Sequence, residues 1–359
     1  MGAYYWTILL AATFSVAANM CNKQYQRMNM KRSVSTKIFL ALMTMTFVFT
    51  AGLRYYVGTD FGAYYKGLDI YGKRLSESVQ KLDEPFLPIL ATIIGWFTDD
   101  GAYLIFACSL ITITLILATT VKHTDCFSFA CFLFAFTGIW HGTFNGVRQY
   151  LAAAIIFSAH RLIMERKLGK YLIAVFIAFC VHKSAIIMII PYFILGNRIT
   201  FRNVLLLMLG TFLLSANYDT VFSFVGLLKD KSMEIGDHAY YSTSVNILRI
   251  MVACAPPALC LFLYAKHQPD KEQTFYINAL IANGAAMLAT ANSAYLARLG
   301  IFTNVFVPLA LSKLICFKDK RLEIFAKIVI VALFFVFWYI DVSGSQSLSQ
   351  FHWVWERTT

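Results

Sequence analysis

Apolar runs close to membrane length recur along the whole chain, and they limit its fold more than any other feature. They cover residues 4–20, 38–53, 101–121, 126–142, 147–164, 170–181, 184–196, 203–217, 246–265, 274–291, 298–312 and 324–340. A helix that crosses a bilayer needs about 20 largely apolar residues, because roughly 30 Å of hydrocarbon offers its backbone no hydrogen-bond partner. The runs predict an all-α polytopic membrane protein with about 12 transmembrane helices (range roughly 10–13). Residues 1–359 then form a single integral membrane domain. Hydrophobic residues make up 59% of the chain and charged residues 14%, against roughly 45–50% and about 25% in soluble domains. That balance excludes a disordered chain, a collagen-like repeat, a disulfide-stapled mini-protein and an ordinary cytosolic enzyme.

Some runs fall short of a full crossing. Residues 85–97 are too few to span, which predicts a re-entrant or interfacial helix on the outer side. The runs 170–181 and 184–196 are separated by His182-Lys183. They form either two tilted half-length helices or one long helix broken near the membrane surface. Broken backbone survives at membrane depth only where it is buried in protein or lines a polar cavity. Pro191, Pro256-Pro257 and Pro308 mark further kinks. There is no internal repeat, low-complexity stretch or separate soluble domain.

The net charge of +12 would suggest a polyanionic partner in a soluble protein. Divided between the two sides of the predicted membrane, it reads differently. The first run has no Lys or Arg before it, and Lys23, Arg27, Lys31, Arg32 and Lys37 follow it. This describes an uncleaved first span with its N-terminus outside. Continued along the chain, the inner segments carry 18 Lys/Arg and 6 acids, the outer ones 11 and 13. The asymmetry follows the positive-inside rule, places both termini outside and removes the case for nucleic acid. The long outer loops are 54–100 and 216–245. None of the eight Cys falls in an outer loop and no CxxC pair occurs, so disulfides are not expected.

Unusual polar residues gather at four outer helix ends. These are Arg54-Tyr55-Tyr56-Val57-Gly58-Thr59-Asp60 with Tyr64-Tyr65, Asn145-Gly146-Val147-Arg148-Gln149, His182-Lys183-Ser184, and Asn292-Ser293-Ala294-Tyr295 with Arg298. Asn145, Arg148 and Gln149 stand at i, i+3, i+4, the spacing of one helix face. Gly58 permits a tight turn that brings Asp60 against that helix end. A helix start favours anions over cations, so Arg148 and Arg298 suit a bound anion, and a guanidinium fork matches phosphate oxygens. Simpler roles exist for each residue alone. Boundary arginines snorkel to headgroups, a histidine at a helix break commonly serves as a structural hydrogen-bonding group, and Asp99-Asp100 reads as a polar turn. Phe351-His352-Trp353-Val354-Trp355 reads as an interfacial anchor. The coincidence of all four clusters on one face favours a site. No P-loop, GxGxxG, HExxH or paired-carboxylate motif appears. No intramembrane chain of Asp or Glu suggests proton coupling.

The ordered set Arg54…Gly58-Thr59-Asp60…Tyr64, Glu84-Pro85, Asn145-x-x-Arg148-Gln149-x-x-Ala152, His182-x-Ser184 and Arg298 resembles the EpsG family. Its members are Wzy-like polymerases of bacterial exopolysaccharide, capsule and O-antigen. The motifs run most densely from about residue 50 to 195 and more loosely to about 312, and the last 45 residues carry none. The resemblance implies a C-type glycosyltransferase-like membrane enzyme in the bacterial cytoplasmic (inner) membrane, with its active site facing the periplasm or cell exterior. It further implies undecaprenyl diphosphate-linked oligosaccharides as substrates, a chain-length regulator and a flippase as partners, and no cofactor.

On that basis Arg148 and Arg54 are expected to clamp diphosphate, with Arg298 on the same group or on a second lipid. His182 is the first candidate base and Asp60 the second, and Asp60 could instead orient an arginine. Asn145, Gln149, Tyr64, Glu84, Lys183 and Ser184 complete the expected substrate contacts, and no metal is required. The alternatives are an O-antigen ligase or membrane acyltransferase, and a lipid-linked oligosaccharide flippase.

Overall fold

The computed structural model describes residues 1–27, 32–197, 244–265, 268–294 and 296–357, with the side chains of 24–27 excepted. The run 203–217, nearly all of the loop 216–245, and Tyr295 lie outside the described residues. Within them the chain is helical, and its sole strand-like pairing is an isolated antiparallel bridge between Arg54 and Trp353.

Among the described residues three helices, Val34–Gly52, Ala102–His123 and Lys320–Ser343, are long and apolar enough to cross a membrane, or up to five if each of two bent pairs counts as one span. The longer elements start where a side chain takes up an orphan N–H. Ser33 accepts from Thr36 at 3.0 Å, Asp270 forms a capping box with Gln273, and Asp319 accepts from Arg321 at 2.8 Å. The helix Gly2–Arg27 packs antiparallel along Val34–Gly52, where the Thr7 and Thr50 hydroxyls lie 2.6 Å apart. Ala152, Ala153 and Ala154 are fully buried, and such small side chains let Val147–Ser158 approach Ala102–His123 and Leu168–Val181 closely.

Where hydropathy suggests one span, the backbone breaks several times. The run 126–142 divides into Phe127–Phe136 and Ile139–Asn145, bent by 41° at Gly138, whose φ of +82° is left-handed. Residues 298–312 divide likewise, with a 42° bend before Val307–Leu314, where Pro308 occupies the first turn. The helix Ile247–Leu263, by contrast, continues through Pro256 and Pro257.

Residues 170–196 form two half-length arms. Leu168–Val181 ends at His182, and the chain returns through the 3-10 turn Lys183–Met188 and the helix Ile189–Leu195. Tyr171 at the start of the first arm stacks on Tyr192 at the end of the second, and its hydroxyl donates to the Met188 carbonyl at 2.8 Å. Residues 85–97 contain the ten-residue helix Phe86–Gly95. It lies over Gly67–Lys73 and joins a small core of Phe61, Tyr64, Leu87, Leu104 and Val147.

One end of the bundle collects the segments that matter below. The Tyr4 hydroxyl donates to the Leu348 carbonyl at 2.8 Å, Tyr55 N to the His352 carbonyl at 2.8 Å, and Gly58 N to the Ser347 carbonyl at 2.9 Å. Phe351 packs edge-on against Tyr4, and the Trp353 and Trp355 rings are stacked. The expected polar turn at Asp99-Asp100 has a partner, since Asp100 accepts from Arg357 at 2.6 Å. Beside it Gly101 lets the Tyr65 carbonyl pass so closely that an added Cβ would lie 1.8 Å from that oxygen. The obstacle is backbone and cannot rotate away. Gly101→Ala is therefore expected to cost roughly 1–3 kcal/mol, the usual range for overpacking. Gly169→Ala, with nothing within 4 Å, serves as a neutral control. Thermal unfolding of the two variants in detergent checks the difference.

Candidate functional site

The exit from Val34–Gly52 is organised by Arg54, which is 1% exposed. The last carbonyls of a helix lack intrahelical donors and carry its negative dipole end, so a cation there is favoured. Arg54 donates to the Ala51 carbonyl, to Val57 at 3.0 Å and to Phe144 at 3.3 Å, and its guanidinium carbon lies 4.6 Å from the centre of the Phe144 ring. Every guanidinium nitrogen is engaged inside the protein. This placement departs from the expected diphosphate clamp, because an arginine sealed from solvent by carbonyls presents no donor to a ligand. Its work here is to fasten the exit strand to the end of Ile139–Asn145.

Gly58 turns the chain next, with φ +94°. A Cβ at this position would meet the Asn145 side-chain oxygen and the Phe144 carbonyl at 2.8 Å each, so both the backbone angle and the space require glycine. The turn delivers Thr59, whose N–H donates to Asn145 Oδ1 at 2.7 Å and whose hydroxyl bridges Asn145 and Asp60. It is thus Thr59 that meets the helix end. Asp60 faces elsewhere, 4.0 Å from the Arg298 guanidinium.

Asn145 and Arg148 do not share a helix face as their spacing suggested. Ile139–Asn145 stops at Gly146, and Arg148 belongs to the first turn of the separate helix Val147–Ser158. Arg148 turns to the other side, where it pairs with Glu84 and donates to the Tyr64 hydroxyl at 3.3 Å. Glu84 is the hub of this second group. It binds Arg148 through Oε2, accepts from the Lys183 N–H through Oε1 at 2.8 Å, and has His182 Nδ1 3.6 Å away. Its φ of +49° is left-handed for a non-glycine residue, and these contacts hold it there. Lys183 reaches Asp83 at 2.7 Å and keeps that carboxyl below the usual carboxylate range.

His182 caps the 3-10 turn. Its Nδ1 accepts from the Ser184 N–H at 3.2 Å and lies 2.9 Å from the Ser184 hydroxyl. That bond assigns the neutral ring's proton to Nε2 and engages the nitrogen that would otherwise take a proton. Gln149 joins neither group through its side-chain oxygen, which is buried without a partner among the described residues.

The first group opens onto a cavity of about 420 Å³. Thr59, Asn145 and Arg298 line it, whereas Arg148, Glu84 and His182 do not. Three further lining residues escaped the sequence reading: His141, Arg249 and Asp341. Arg249 and Asp341 form an ion pair at 2.9 Å between Ile247–Leu263 and Lys320–Ser343. The available signal was Arg249, a lone charge within the otherwise apolar run 246–265, the kind of residue that by default marks function, whereas Asp341 lies just past the run 324–340 and gave none. His141, 2% exposed, gave no such signal among the Trp and Phe residues around it. Chemically the cavity offers amides, hydroxyls, two guanidinium groups and one carboxylate, a set suited to a polyhydroxylated anion.

A comparison with curated proteins and another with solved structures returned no match. The model of the EpsG family matches residues 37–353, which takes in both polar groups, the cavity-lining helices and the C-terminal segment against Arg54. The chain belongs to the EpsG family.

Proposed function

We propose that this protein is a polysaccharide polymerase of the O-antigen and exopolysaccharide type. It moves a growing glycan from undecaprenyl diphosphate onto a new lipid-linked repeat unit at the outer face of the bacterial cytoplasmic membrane. The observation that carries this reading is the cavity at the Gly58–Asn145 junction, where Arg298 meets hydroxyl and amide groups at one end of an apolar helical bundle. Membership of the EpsG family supports it. About twelve crossings, both termini outside and a C-type glycosyltransferase-like architecture complete the proposal, with a flippase supplying substrate and a chain-length regulator as partner.

The chemistry asks for charge stabilisation first. The leaving lipid diphosphate is already a stable anion, so protonating it matters less than holding it, and preorganised electrostatics is commonly the largest catalytic term. Arg298 at the cavity is assigned to that diphosphate, with Asp60 orienting it across 4.0 Å. Arg148, Lys183 and Tyr64 form a second polar surface, where the other lipid-linked chain is held and Glu84 keeps the cations in place. Guanidinium groups take the role a metal would otherwise fill.

Deleting the gene is expected to leave single repeat units displayed outside the cell, measured by electrophoresis of surface glycan. Units trapped inside would indicate a flippase, and full-length polymer held on lipid would indicate a ligase. Arg298→Ala should slow chain elongation by about 10²–10³-fold, the effect of losing one charge-stabilising donor. Arg148→Ala should reproduce the deletion while the protein still reaches the membrane, and normal polymer length in that variant would remove Arg148 from the site.

A further inference from the structure

The cavity contains a carboxylate to which the polymerase reading gives no task. Asp341 stands in the last turn of Lys320–Ser343 and Arg249 in the first turn of Ile247–Leu263. Helix dipoles favour cations at the first of these positions and anions at the second, so each charge occupies the end that suits it least. A pair built only for stability would place its charges the other way round. The contact is also one-sided. Arg249 Nε and Nη2 both approach Asp341 Oδ1 at 2.9 Å, and among the described residues Oδ2 accepts no hydrogen bond. A fork-to-fork pair would engage both oxygens. The Asp341 side chain is 18% exposed, and the residue lines the cavity.

A second, independent observation comes from His141. Trp338 Nε1, which can only donate, lies 3.0 Å from His141 Nδ1. The neutral imidazole therefore carries its proton on Nε2. That N–H is buried and has no partner among the described residues, and His141 lines the same cavity. Buried donors without acceptors are rare because the lost water is not replaced, so the site invites a ligand oxygen. The volume of about 420 Å³ falls within the range of small-molecule sites, roughly 300–1,000 Å³. With Arg298 assigned to the donor's diphosphate and Arg249 paired to Asp341, the amides, hydroxyls and single carboxylate that remain in the lining recognise hydroxyl groups rather than a second diphosphate.

We propose that this cavity receives the terminal sugar of the acceptor unit and that Asp341 is the general base of glycosyl transfer. The assignment rests on the polymerase reading. The acceptor hydroxyl oxygen attacks the anomeric carbon of the donor glycan and forms the new glycosidic bond. The bond from that carbon to the diphosphate oxygen breaks, and its electron pair leaves with the lipid diphosphate. The hydroxyl proton passes to Asp341 Oδ2 and from there to water. Arg249 holds the carboxylate through Oδ1, and His141 Nε2–H donates to an oxygen of the acceptor sugar.

The test compares wild type, Asp341→Asn and the exchange Arg249→Asp with Asp341→Arg. Each is produced in a deletion strain, quantified in the membrane, and assayed for elongation of purified lipid-linked repeat units. Asp341→Asn is expected to accumulate normally and to elongate about 10²–10⁴-fold more slowly, the span attributed to a general base. The exchange variant keeps an ion pair between the helices and should accumulate yet stay inactive, which a purely structural bridge would not predict. Asp341→Asn elongating within a few-fold of wild type overturns the base assignment and leaves the polymerase reading intact. Recovery of elongation in the exchange variant overturns it too, as does failure of both variants to accumulate, which would make the pair a determinant of folding. Wild-type protein that cannot elongate the units overturns the polymerase reading and this assignment with it.

Discussion

A guanidinium closed off from water holds one end of this molecule together. Arg54 takes carbonyls from the end of its own helix, from the turn that follows and from the end of Ile139–Asn145. Removing its side chain would leave these acceptors buried without donors, and removing its neighbours would leave a buried charge without compensation, so the cluster stands or falls as a unit. The geometry of the Gly58 turn follows from it. With Val57 and Phe144 fixed to the same group, the Thr59 amide meets Asn145, and the Asp60 carboxylate is sent toward Arg298.

The fold was legible in the sequence wherever a local property decided it. Val34–Gly52, Ala102–His123 and Lys320–Ser343 each hold an apolar window of 18 residues, and hydropathy locates them without knowledge of their neighbours. The division of 170–196 into two arms was visible for the same reason, because His182-Lys183 interrupts an apolar run. Breaks at Gly138 and Gly146 were not visible. A glycine inside a helix costs only about 1 kcal/mol, so its presence does not reveal whether the helix continues. The i, i+3, i+4 argument for Asn145, Arg148 and Gln149 presupposed continuity across Gly146, and the structure interrupts the helix there.

The polar residues divide along similar lines. The Gly58-Thr59-Asp60 turn and its meeting with Asn145 could be anticipated, because glycine at a tight turn and a polar residue at a helix end each have a local physical meaning. The role of Arg54 could not, since its partners are backbone carbonyls and every residue type supplies those. Arg148 and Glu84 were both marked, but their pairing depends on a left-handed backbone at Glu84 that no propensity favours. Asp341 and Arg249 come from distant segments, and only the packing of their two helices brings them to the same cavity.

The short stretch after Lys320–Ser343 has a consequence for how the protein comes into being. Ser347 supplies the acceptor for the Gly58 amide, and the residues around Trp353 pair with the backbone on either side of Arg54. Helices enter a membrane in the order in which the ribosome delivers them, whereas these contacts join the turn at Gly58 to a segment made much later. The site's central turn must therefore wait, incompletely bonded, until Ser347 has been made. A chain interrupted before residue 347 would insert most of its helices and still lack the clasp at its centre. Synthesis past this segment becomes a checkpoint, and copies that stop short of it have no assembled site with which to engage a substrate.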